Sequence, residues 1–126
     1  MRYFICALAA VQLGIPAEHT QRIIPSARIQ TAGYETGDGE FFISLPVLLG
    51  QKDPSAPHGL VLKTDRPSKT VLLTPRIDID LEIPEDRIHR LPDVFAGAFR
   101  YFRGAFFNGH NVILIVNTEK LMEGVP

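Results

Sequence analysis

The clearest pattern in the chain lies at residues 77–83, where Ile77, Ile79, Leu81 and Ile83 alternate with Asp78, Asp80 and Glu82. Strand side chains point to opposite faces with a period of two, whereas a helix would scatter these four residues around its circumference. The alternation predicts a strand with one apolar, buried face and one acidic, wet face. A second apolar segment, Val112-Ile113-Leu114-Ile115-Val116, does not alternate. Five such residues bounded by polar ones read as a central strand. Just before it, Phe106-Phe107-Asn108-Gly109 is a hairpin signal, with strands over 101–107 and 111–116 flanking Asn108-Gly109-His110.

Shorter apolar runs add further strands: Tyr3 to Val11, Phe41 to Leu45, Leu60 to Lys63 and Thr70 to Leu73. The segment from Pro16 to Pro25 reads either as a helical turn opened by Pro16 or as the approach to another strand, which Ile23 and Ile24 favour by their branching. Glycines punctuate a loop over 31–40, with Asp38-Gly39 as its turn signal. Pro46 stops the strand before it, and Val47-Leu48-Leu49 then reads as a helical turn ending at Gly50. The polar stretch from Gln51 to His58 is a surface loop, Asp65 to Ser68 a turn, and Pro84 to Pro92 a connector. Residues 94–99 read as a helical turn. Asn117 is placed to cap a last short helix, Thr118 to Met122, with Glu119 in its first turn. Many short strands and few helical residues describe a mostly β chain, a barrel or sandwich.

The 126 residues fit one domain, and an apolar share of 45% with a net charge of -1 excludes a disordered chain. A phosphate-binding surface needs clustered cations. Here Arg22, Arg28, Lys52, Lys63, Arg66, Lys69 and Arg76 are dispersed among acids, which argues against nucleic acid. The single cysteine, Cys6, sits in an apolar run and reads as a buried small hydrophobe, and a lone thiol fits the cytoplasm. Arg2 followed by an apolar run resembles a short signal peptide. Gln12 breaks that run and no cleavage site follows, so a retained strand is expected. No stretch reaches the roughly 18 apolar residues that a membrane-spanning helix needs, so no membrane insertion is expected.

Three constellations bear on chemistry. Asp78, Asp80 and Glu82 lie about 6 to 7 Å apart along an extended strand, and a cation site would need ligands from elsewhere in the chain. His19, His58, His89 and His110 have neither metal-ligand spacing nor a paired nucleophile, and Gly-x-Ser-x-Gly is absent. No catalytic residue, cofactor or metal is expected. The aromatic cluster Phe95, Phe99, Tyr101, Phe102, Phe106 and Phe107 is mostly core. Within it, Phe99-Arg100-Tyr101-Phe102-Arg103 mixes aromatics with arginines, the composition of protein-binding hot spots. The plain alternative is a strand with apolar residues inward and both arginines outward.

The sequence resembles the CheW-like coupling domain of bacterial chemotaxis systems over almost its whole length. The likeness rests on the strand pair Leu60 to Lys63 and Thr70 to Leu73, the alternating segment to Ile83, Leu91-Pro92, and the hairpin from Tyr101-Phe102-Arg103-Gly104 to Val116, followed by Glu119-Lys120-Leu121. In the first half, Phe41 to Gly50 looks like the family's strand and short helix ending in Leu-Gly. Tyr3 to Val11, Ile15-Pro16 and Ile23-Ile24-Pro25 look like its first two strands. Where the family has Asn-Leu-Arg-Gly, whose arginine is associated with receptor or array contacts, this chain has Asp38-Gly39-Glu40.

The resemblance implies two small SH3-like five-stranded β-barrels packed together around an apolar seam, with short helical turns and a short C-terminal helix. It implies a single domain over residues 1–126 with its crossover near residues 50–60. It further implies a non-enzymatic adaptor bridging the regulatory domain of a histidine kinase and chemoreceptors or another array component. Phe99, Arg100, Tyr101, Phe102, Arg103, Glu40 and Phe42 are the protein-binding candidates, and self-association through barrel surfaces is a further option. A nucleic-acid-binding barrel and a small enzyme with an unrecognised site are the alternative readings.

Overall fold

The computed structural model describes residues 1–8, 11–24, 40–50, 58–65, 69–91 and 100–123. In chain order the strands are β1 (Arg2–Leu8), β2 (Val11–Pro16), β3 (Thr20–Ile24), β4 (Glu40–Ser44), β5 (His58–Leu62), β6 (Lys69–Thr74), β7 (Arg76–Glu82), β8 (His89–Arg90), β9 (Phe102–Asn108) and β10 (Asn111–Val116). Two short helices, Leu45–Leu48 and Thr118–Met122, and single 3₁₀ turns at Ala17–His19 and Glu85–Arg87 complete the described elements.

The strands form a six-stranded sheet in the order β7-β1-β2-β10-β9-β8 and a four-stranded sheet in the order β3-β5-β6-β4. The chain leaves the larger sheet through the 3₁₀ turn Ala17–His19 and returns to it at Pro75, between β6 and β7. Residues 51–57, most of the segment where a crossover was expected, lie outside the described residues.

The apolar residues sort into three clusters. The largest lies between the sheets, where Cys6, Leu8, Leu13, Ile15, Phe102 and Val116 meet Leu60, Leu62 and Leu72. An outer cluster covers the far face of the six-stranded sheet with Tyr3, Ile5, Ile83, Ile88, Ile113 and Ile115. A third, built on Val61, Val71 and Leu73, covers the far face of the four-stranded sheet. Both faces of β10 are therefore buried, with Ile113 and Ile115 on one and Val116 on the other. A strand packed on both sides has no polar positions to alternate with, which explains the unbroken apolar run over 113–116, while Val112 at its start is 42% exposed.

The predicted pair of closed five-stranded barrels is not what forms. Among the described residues neither sheet closes, and the strands divide six and four. The edges of the larger sheet, β7 and β8, are joined by a link in which Pro84 has no N–H to give and Glu85–Arg87 take a 3₁₀ turn. β8 is only two residues long. The ladder therefore ends at Glu82, and Ile83 and Ile88 cover the opening with side chains instead of strands. In the smaller sheet the edges are β3 and β4, and residues 25–39 between them lie outside the described residues.

Three further sequence expectations are revised. The run from Tyr3 to Val11 is two antiparallel strands, with Leu8 opposite Val11, so the chain reverses within it. The alternating segment is a strand, but its register slips: Phe4 lies opposite Asp80 and Ile5 opposite Asp78, leaving Ile79 as an extra residue. This bulge sends Ile77 to the inter-sheet core and Leu81 to the outer one, so the apolar residues do not share one face. In the hairpin, Asn108 pairs with Asn111, which makes Gly109 and His110 the central turn residues. Only Gly109 has a positive φ (+64°), the requirement of a type II′ turn and not of the Asn-Gly type I′.

Cys6 has no exposed surface and lies in the inter-sheet core. Burial pushes its thiol up to about 12. Maleimide labelling at pH 8 is expected to leave the native chain untouched and to modify it fully in denaturant. Rapid labelling of the native protein would show that this core opens.

Candidate protein-docking surface

An exposed apolar surface is built by the edge strand β4 and the helix after it. Ser44 ends the strand in an extended conformation, and its hydroxyl accepts the Val47 backbone N–H at 3.4 Å. Pro46 stands in the first helical turn, where a missing N–H costs nothing. Gly50, with φ +78°, follows the helix. The tight geometry buries Leu45 and Pro46 while turning Val47 outward at 56% exposure. Phe41, on the strand itself, is 36% exposed.

Arg100 and Tyr101, just before β9, face this surface from the other sheet. The Tyr101 carbonyl accepts the Asn117 backbone N–H at 2.7 Å, which ties it to the start of the helix Thr118–Met122. That helix begins as expected, with the Asn117 side chain accepting the Lys120 N–H at 3.2 Å. A groove of about 530 Å³ results, with Phe41, Ile43, Leu48, Tyr101 and Leu121 as its apolar lining. Arg100, Lys120 and Glu123 provide its charges, and Lys120 pairs with Glu123 at 3.4 Å. The Arg100 guanidinium lies 4.7 Å from the Tyr101 ring centroid and donates to the Tyr101 hydroxyl. A cation over an aromatic face is attracted by the ring's quadrupole, by about 0.5–1 kcal/mol at an exposed site.

The structure separates the residues singled out in the sequence. Arg100, Tyr101 and Phe42 line the groove or its extension along β4. Phe102 is 5% exposed and belongs to the inter-sheet core. Glu40 opens β4 opposite Lys69, and only its backbone is described. Phe99 and the helical turn expected over 94–99 lie outside the described residues. Phe41, Val47 and Leu48 were not singled out, although an apolar pair at a strand end followed by proline was available as a signal.

Arg103 is not an outward-facing free arginine. Between Ile115 and Val116 the register slips, leaving Arg103 as an extra residue of β9. The bulge carries it toward the outer core. Its guanidinium forks onto the Glu85 carboxylate at 3.1 and 3.0 Å and also donates to the Tyr3 hydroxyl. Tyr3 in turn donates to Glu85 at 2.7 Å. The Arg103 and Tyr3 hydrogen bonds hold the Glu85 carboxyl below the usual carboxylate range. Burial, reinforced by the Glu85 contact, pushes Tyr3 up to about 12.

The strand acids are engaged by neighbouring cations. Asp80 pairs with Arg2, Asp78 with Arg76, and Glu82 with the amino group of Met1. Among the described residues, no group of three or more His, Cys, Asp or Glu side chains is placed to hold a metal ion. His19 Nδ1 lies 2.9 Å from the Thr118 hydroxyl, but its Nε2 is 3.7 Å from Glu18, beyond hydrogen-bond reach. Among the described residues, no helix is long and apolar enough to cross a membrane.

No protein-family model and no curated protein sequence matches the chain. Among solved structures, the crystal structure of the scaffolding protein TtCheW from Thermoanaerobacter tengcongensis is similar, with a TM-score of 0.73 at 17% identity. The match covers 97% of this chain and 87% of that one. Two packed sheets around a common apolar seam, superposing on that protein nearly end to end, establish that the chain has the CheW-like fold in a divergent form.

Proposed function

We propose that the chain is a non-enzymatic adaptor of a bacterial chemosensory system, working in the cytoplasm as one domain over residues 1–126. It binds the regulatory domain of a histidine kinase, and chemoreceptors or another array component, through its surfaces. The observation that carries this reading is the groove between the sheets. There an exposed Phe41 and Val47 stand beside the stacked Arg100–Tyr101 pair. A small apolar patch with an aromatic–arginine anchor and a charged rim has the anatomy of a docking site. The likeness to a protein described as scaffolding supports the same reading.

A nucleic-acid interface needs cations free to meet phosphate. Arg2, Arg76, Arg103 and Lys120 are paired with acids of the same chain, and Arg22 on β3, Lys69 on β6 and Arg90 on β8 are spread over different strands of the two sheets instead of being clustered. Acyl-transfer chemistry on Thr118 and His19 needs the far ring nitrogen held by an acid, and the 3.7 Å gap to Glu18 does not provide that.

Titration calorimetry of the purified chain with the regulatory domain of each histidine kinase from its own genome tests the proposal. Saturable heat is expected with at least one of them, at low and at physiological salt. Silence from all of them, and from the receptor signalling tips as well, ends the coupling role.

A further inference from the structure

We propose that residues 83–90 form a strap over the outer core of the six-stranded sheet, latched by Glu85, which opens locally when that carboxylate is protonated while both sheets stay folded.

The strap joins β7 to β8, the two edges of the larger sheet, and crosses its outer face. Few backbone bonds attach it to the sheet. β8 pairs with β9 over His89 and Arg90 only, and the Ile83 N–H reaches the Met1 carbonyl at 2.9 Å. The Arg87 and Ile88 N–H groups bond within the strap itself, to Pro84 and Glu85. Ile83 and Ile88 supply its apolar contacts, and the His89 ring meets Phe107 of β9 edge-on with centroids 5.2 Å apart. At its ends the Leu91 N–H also reaches the Arg103 carbonyl at 3.3 Å and the Met1 amino group the Ile83 carbonyl at 3.4 Å, while its middle is tied by Glu85, which accepts three hydrogen bonds, two from Arg103 of β9 and one from Tyr3 of β1. One carboxylate thus bonds two strands on either side of the opening that the backbone leaves unclosed.

A single exposed ion pair contributes little to stability, but a bidentate guanidinium–carboxylate fork inside a network is the arrangement that does contribute. Among the described residues, the other charged groups around Glu85 are Asp86 and Arg87 of its own 3₁₀ turn, the Met1 amino group, held by Glu82 at 2.6 Å, and His19 and Glu119 across a shared hollow. None of these is among its hydrogen-bond partners, so protonation removes the charge on which the fork depends. Arg103 and Tyr3 then remain together without the anion between them. Segments with few ladder bonds are the ones that open independently of the global fold. Opening uncovers Ile83, Ile88 and the edge of β9 at Gly104-Ala105.

Because Glu85 is held below the usual carboxylate range, its contribution is complete above the unfolded value and is lost as pH falls through the folded one. Hydrogen exchange of the full chain, read by mass spectrometry and corrected for the intrinsic rate at each pH, tests the latch. At neutral pH, Glu85→Gln is expected to speed exchange across 83–91 and 104–105 by about fivefold, with the amides of β1, β2 and β10 unchanged. The wild-type strap should reach the same rate on acidification, and the variant's strap should not respond to pH. Should Glu85→Gln fail to fold, Tyr3→Phe removes one of the three bonds and keeps the ring in the core, and it should give a smaller rise confined to the same amides. A strap whose exchange ignores both substitutions, or a six-stranded sheet that loosens all at once, overturns the proposal.

Discussion

Gly104→Ala is expected to cost about 3 kcal/mol of stability, which for a domain of this size lowers the melting temperature by roughly 10 °C. Gly104 lies on β9 between Ile115 of β10 and Arg90 of the short edge strand β8. A methyl group placed there would stand 2.5 Å from Ile88 Cγ2 and 2.7 Å from the His89 carbonyl oxygen. The second of these contacts is with backbone, so no side-chain rotation relieves it, and the strap must move off the sheet. Gly109→Ala is the useful comparison. Its added carbon meets nothing within 4 Å, and its cost is only the strain of a positive φ, about 1 kcal/mol. Urea denaturation of the two variants beside the wild type separates close approach from turn strain. Equal midpoints for Gly104→Ala and wild type would show that β8 does not press on β9 as described.

How much of this arrangement the sequence discloses depends on whether a feature is local. The cap at Asn117, the helical turn before Gly50 and the central strand 112–116 are read from a few adjacent residues, and they form as expected. The 3₁₀ turn at Ala17–His19 and β3 after it satisfy both readings left open for that segment. What escapes is set by residues far apart in the chain. The bulge at Ile79 exists because β7 must pair with β1, which lies about seventy positions earlier. The reversal inside the first apolar run leaves no polar mark, because both strands are covered by the same cores. Closure of each sheet is an expectation of the family likeness, and among the described residues the ladder of the larger sheet stops at Pro84 and the two-residue β8. Arg103 illustrates the same limit in the candidate site. Its sequence neighbours suggest an exposed docking cation, and only the bulge beside Val116 reveals that it is committed to Glu85 and Tyr3.

Val47→Glu is expected to weaken binding of the kinase regulatory domain at least thirtyfold, about 2 kcal/mol, without lowering the stability of the chain. The substitution is chosen for its place in the short helix. Ser44 caps that helix and Val47 is the third residue after it. A glutamate there completes the Ser-x-x-Glu capping box, in which its carboxylate reaches back to the cap N–H. The fold is therefore held or slightly strengthened, while a charge replaces the exposed valine beside Phe41 and Leu48 on the proposed docking surface. A partner that buries this patch must then desolvate a carboxylate where the wild type offers an apolar side chain. Ile23→Glu supplies the control, since Ile23 is 46% exposed on β3, at the opposite edge of the same sheet from β4. If Ile23→Glu weakens binding as much as Val47→Glu, the effect is one of net charge, and if Val47→Glu binds as the wild type does, the partner docks elsewhere. Only a loss confined to Val47→Glu, with both variants unfolding no earlier than wild type, assigns the interface to the groove between the two sheets.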